Sequence, residues 1–136
     1  MPRISQLFFK TAILFLIVGI GMGLQMSISG IHNVTGAHAH ANLLGWVTMA
    51  LFGGFYAHNP AKAQGRLAFV QYGVYTLGVA IMVPALYLML AGNPAFEPLV
   101  AAGSMIAFLG VILFAVLVFA PDRQQSARTS HPAAAE

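Results

Sequence analysis

The sequence predicts an all-α integral membrane protein: a four-helix bundle with both termini cytoplasmic. Three observations predict it. The 136 residues are 59% apolar and only 7% charged, against about 25% charged in a globular protein. Four stretches reach the roughly 20 apolar residues that a helix needs to cross the hydrocarbon core. Every Lys and Arg falls on one side of the resulting topology. The chain has no cysteine, which removes disulfides and thiolate ligands. Its net charge of +3 comes from six cations at the ends of spans, so nucleic acid is not an expected partner. Membrane lipid is.

The first span is expected over residues 7–27, with Lys10 snorkelling to the near interface. It is too long for a signal-peptide core, and no convincing small-residue cleavage site follows it. The second is expected over 38–58, the third over 67–91 and the fourth over 96–120. The links "NPAKAQGR" and "GNPAFEP" hold the Pro, Gly and Asn that end helices. One membrane domain, residues 1–120, thus precedes a polar tail, 121–136, expected to be disordered and cytoplasmic. Arg3, Lys10, Lys62, Arg66, Arg123 and Arg128 all lie at one membrane face. The positive-inside rule makes that face cytoplasmic. Segments 30–37 and 92–95, which carry no Lys or Arg, face outward. The second helix then descends from outside to inside, as expected in a bacterial inner membrane.

Within that frame the chemistry concentrates in "GIHNVTGAHAHANLLGW", residues 30–46, which hold His32, His38 and His40. Each residue of an α-helix advances by about 100°, so His38 and His40 point about 200° apart and cannot grip one ion from a regular helix. Either His38 sits in the loop while His40 alone enters the bundle, or the two face different neighbours. An ionisable residue at membrane depth is a functional candidate, and neutral imidazole is a common ligand for metals and haem iron. The bland alternative is an interfacial histidine bonded to water or a carbonyl. His58 lies 18 residues beyond His40, roughly 27 Å along a helix, so the two cannot share a cofactor. His131 is expected to be solvated in the tail.

Other polar residues read as packing. Gly45, Gly53 and Gly54 permit close approach of a helix or a flat ligand. Gln71 and Tyr75, four apart, share a face and are expected to bond across helices. Pro84 removes one backbone hydrogen bond and is expected to kink the third span. Glu97 suits the positive end of the helix dipole. Met22, Met26, Met89 and Met105 lie at depths that would suit a second iron ligand, though packing is the ordinary role of such residues.

The run "HAHANLLGWVTMALFGGFYAHNP" resembles the second transmembrane helix of the haem–copper oxidase catalytic subunit, most of all its nitric-oxide reductase branch. There a haem b ligand begins a His-x-Asn-Leu-Leu run, and a Gly, an aromatic pair and a Pro close the helix. The matching positions are His40, Asn42, Leu43 and Leu44, then Gly53 or Gly54, Phe55, Tyr56 and Pro60. The chain also looks like small four-helix membrane proteins sharing a "HAHxNLLGW" signature. The match covers 23 of 136 residues.

The resemblance implies haem b near the outer face, with His40 as axial ligand and Asn42 and Trp46 close by; in a homotrimer, His38 or His32 of the next copy would be the second ligand. It implies one-electron transfer to an unidentified redox partner. The departures are substantial, because the full-length relatives have about twelve helices and a dinuclear centre that this chain lacks the histidines to build. An enzyme activity therefore does not carry over. Three copies would restore the helix count, and closed cyclic assemblies are common, so a homotrimer with an intersubunit haem site is expected. The alternatives are a module that captures and transports Cu or Zn through the histidine cluster, and an assembly subunit without a cofactor.

Overall fold

In the computed structural model, which describes residues 1–121, every regular element is a helix. Helix α1, Arg3–Ser29, ends where Gly30 turns to φ +69° and its N–H bonds back to the Met26 carbonyl at 3.0 Å. A left-handed residue there closes the last turn, and glycine adopts it without steric cost. After a short turn, α2, Thr35–His40, runs on without a break into a π-helical segment, Ala41–Thr48, and then α3, Met49–His58. The short α4, Pro60–Ala63, carries Pro60 at its first position, where the missing N–H costs nothing. Helix α5, Arg66–Leu90, continues through Pro84. A 3₁₀ turn, Pro94–Phe96, leads into α6, Glu97–Phe119, with Glu97 in its first turn. The expected disordered tail, with Arg123, Arg128 and His131, lies outside the described residues apart from its first residue, Pro121.

Among the described residues, three helices are long and apolar enough to cross a membrane: Arg3–Ser29, Arg66–Leu90 and Pro94–Phe119. They give the chain a membrane-protein architecture. The region expected to be the second span is helical throughout but is not one regular α-helix, because its middle third is wound as π-helix. Packing explains the winding. Ala37, Ala41, Gly45 and Met49 are all buried, each four residues after the last. In a plain α-helix each such step overshoots a full turn by about 40°, so Met49 would drift about 120° off the stripe. The wider i→i+5 turn cancels that drift and keeps one continuous face against the bundle.

The helices pack as two pairs. Helix α1 lies along the π segment and α3, whereas α6 packs chiefly on α5. The α5–α6 pair is closed by small residues. A methyl group on Gly78 would fall on the Ala107 backbone nitrogen, one on Gly103 would come within 2.7 Å of the Met82 nitrogen, and one on Gly110 within 2.7 Å of the Tyr75 Cα. Such contacts let backbones approach closely in lipid, where the hydrophobic effect does not drive helices together. The pairs meet over an aromatic cluster of Phe8, Phe52, Tyr56, Tyr75 and Phe114. Phe52 and Phe114 lie 4.1 Å apart between ring centroids, and Phe8 and Tyr72 meet edge to face at 4.9 Å. Hydrogen bonds add to it. Ser5 donates to the Gly53 carbonyl at 2.6 Å, and Thr11 pairs with Tyr72 at 2.7 Å. As the sequence suggests, Gln71 and Tyr75 bond across helices. Gln71 accepts from Tyr56 and donates to the Gly110 carbonyl, and Tyr75 donates to the Leu44 carbonyl.

Candidate functional site

His38 and His40 flank the start of the π segment and have different surroundings. His38 is half-buried against α1. Its Nδ1 lies 2.7 Å from the Gly19 carbonyl. Because a carbonyl has no proton, Nδ1–H is the donor and the neutral ring carries its lone pair on Nε2. The imidazole rests over Gly23, whose added Cβ would come within 3.0 Å of the ring. His38 thus clasps the second helical region to α1.

Asn42 belongs to the same clasp. Its Nδ2 donates to the His38 carbonyl at 2.8 Å, and the amide fills the space over Gly19, 2.5–2.7 Å from where a Cβ would stand. The same Nδ2 lies 3.4 Å from His38 Nδ1. That contact is not a hydrogen bond while Nδ1 carries the proton given to Gly19. The His38 carbonyl also accepts from the Ala41 N–H, so the amide adds a second donor just before the π segment. Thr48 donates to the Leu43 carbonyl at 2.8 Å and Tyr75 to the Leu44 carbonyl at 3.1 Å. Three side chains therefore add donors to carbonyls in and beside the π segment.

His40 faces outward and is exposed. Its Nδ1 donates to the Gly36 carbonyl one turn earlier, at 2.7 Å. That bond fixes the ring's rotation and tautomer and leaves the Nε2 lone pair free. Metal-ligating histidines are commonly held this way by a carbonyl. Below His40 the exposed face continues through Leu43, Val47 and Leu51 to Gly54, beside which a Cβ would meet nothing within 4 Å. His58 makes the same bond to the Gly54 carbonyl at 2.9 Å, so the bond alone does not single out His40. Position does, because His58 ends α3 beside the basic α4.

His32 is exposed in the turn, its Nδ1 3.2 Å from the Gly30 carbonyl. Trp46 is half-buried and packs on the protein core. Among the methionines, Met26 is buried, with the Thr35 hydroxyl 3.6 Å from its sulfur, and Met105 is exposed. No group of three or more His, Cys, Asp or Glu able to hold a metal ion occurs among the described residues. The structure therefore brings His38 together with Asn42, and separates both from His40. Sequence reasoning missed the positioning residues Gly19, Gly23 and Gly36. Only Gly36 left a signal, standing one turn before a helical histidine. No family model, curated protein or solved structure matches the chain.

Proposed function

We propose that this protein is a membrane-embedded b-type cytochrome that binds haem b near the outer face through His40 and transfers single electrons. Under this reading Thr35–His58 is a fourth membrane span, both termini are cytoplasmic, and the host is a bacterial inner membrane. The observation that carries it is the ring of His40: pinned at Nδ1, free at Nε2, and presented on an apolar face that no other described residue covers. The donor set fits a haem's axial demand by half, since each chain offers one outward imidazole at that depth. Within this chain His38 is turned to α1, so the reading takes a second imidazole from His38 or His32 of a neighbouring copy, and a trimer supplies three such sites.

When bound, haem supplies a one-electron iron couple. The chain's own part is separate from it. The Gly36 carbonyl holds His40 as the tautomer with a free Nε2, and the apolar side chains below it keep water out. The histidines are too dispersed for the Cu or Zn transport reading, which needs converging ligands. The test is the visible spectrum of the purified protein before and after dithionite. We expect a reduced b-type band in the parent protein and at least a tenfold loss of pigment in His40→Ala. Colourless protein that is folded would end the proposal.

A further inference from the structure

We infer that α1 carries a binding site for an anionic phospholipid of the inner leaflet, built on Lys10. The site rests on the topology proposed above and is independent of haem. Phe9, Lys10, Ile13 and Leu14 line a shallow open groove of about 460 Å³ on the outward side of α1. Ile13 and Leu14 are 45% and 63% exposed, so apolar surface flanks the cation. One turn on, Ile17 and Val18 are exposed too, and beyond them Gly21 leaves a notch in which a Cβ would meet nothing within 4 Å. The track from Lys10 to Gly21 spans 11 residues, about 16 Å of helix. One leaflet of a hydrocarbon core about 30 Å thick is about 15 Å deep, so one acyl chain fits the track from head to tip.

Charge selects the head group. Lys10 sits inside the apolar span and has neither an ion pair nor a hydrogen bond among the described residues. The one carboxylate there is Glu97, which begins α6. That is the far end from the cations, as shown by Lys62 donating to the Val118 carbonyl at the other end of α6. A cation at this depth calls for a counter-charge; no carboxylate of residues 1–121 lies at that end, and a lipid phosphate sits where its ammonium emerges. Arg3, seven residues earlier, lies on the same face about 10 Å towards the cytoplasm, and would meet the outer part of the head group.

The test is native mass spectrometry of the full chain equilibrated with equal amounts of phosphatidylglycerol and phosphatidylcholine. The parent should retain phosphatidylglycerol preferentially. Lys10→Gln should lose about fivefold of that preference, the scale of one cation near an anionic surface, and Lys10→Arg should keep it. Arg66→Gln, at the start of α5, removes a cation from the same membrane face but not from the groove, and should leave the preference intact. Equal losses from Lys10→Gln and Arg66→Gln would mean diffuse attraction to the leaflet and would overturn the site. So would equal retention of both lipids by the parent, or efficient cross-linking of Ile13→Cys to a second copy, which would show protein covering the groove. A colourless preparation that keeps the lipid preference would remove the haem proposal alone.

Discussion

The two helix pairs solve the same problem by different means. Between α5 and α6, small residues bring backbone against backbone: Gly78 on Ala107, Gly103 on Met82, Gly110 on Tyr75. Between α1 and the second helical region, glycines instead make room for larger side chains. Asn42 lies over Gly19, the His38 ring over Gly23 and the Phe15 ring over Gly45. In the first pair the atoms that meet the glycines are backbone or Cβ atoms, which no side-chain rotation can move aside. The second carries imidazole and amide held by backbone carbonyls, and it is wound as π-helix where they enter, a distortion often found at functional sites. Glycine in a membrane helix therefore does not identify the role of a contact. What rests on the glycine does.

The largest effect should come from filling the tighter contact. Gly78→Val places branched carbons on the Ala107 backbone, where no side chain can rotate away. Overpacking costs about 1–3 kcal/mol in ordinary cores and more where backbone must move. We expect at least about 3 kcal/mol here, read as a collapse of monodisperse protein in size-exclusion chromatography. Gly73→Val, on the same helix but with open space around it, should stay within about 0.5 kcal/mol. Equal tolerance of both substitutions would mean that the α5–α6 pair is not closed as described.

The looser pair should separate its two histidines. His38→Ala removes the bond to Gly19 and the packing over Gly23, and should cost about 1–2 kcal/mol. Under the reading proposed above, in which His38 clasps α1 and His40 holds the iron, it should leave pigment content within twofold of the parent. His40→Ala removes only a bond to a carbonyl of its own helix, so its stability cost should stay below about 0.5 kcal/mol while pigment is lost. Denaturation in mixed micelles alongside the spectrum measures both quantities. A reversal, with His38→Ala colourless and His40→Ala pigmented, would transfer the ligand role to the clasp.

How much of this was legible beforehand follows from where each signal resides. The apolar runs and the placement of cations identify membrane helices, because lipid demands length and apolarity from every spanning segment. The separation of His38 from His40 was legible in part, as two residues apart on a helix point to opposite sides. Their partners were not. Gly19 and Gly36 act through carbonyls, which every residue has, and only the fold brings the Gly19 carbonyl to His38. The π segment left one faint trace, the strict four-residue spacing of small or buried residues from Ala37 to Met49, which an α-helix cannot keep on one face. The α5–α6 contact was opaque for a similar reason. Gly78 and Gly103 matter for what crosses them, while an added Cβ at Gly73 or Gly21, equally visible in the sequence, would meet open space.

The smallest effect addresses the winding itself. Tyr75→Phe keeps the ring that meets Phe52 at 5.0 Å and removes only the hydroxyl that reaches the Leu44 carbonyl. Interhelical hydrogen bonds in membranes average about 0.6 kcal/mol, so global stability should fall by about that much. The local consequence should be clearer. With the Leu44 carbonyl stripped of its side-chain donor, the π segment loses one tie to α5, and amide hydrogen exchange should change over residues 44–49 while residues 103–110 on α6 keep their protection. A Tyr75→Phe variant with an unchanged exchange pattern across 44–49 would show that the buried stripe of Ala37, Ala41, Gly45 and Met49 holds the winding unaided. In that case the side-chain bonds to its carbonyls are consequences of the π-helix and not its cause.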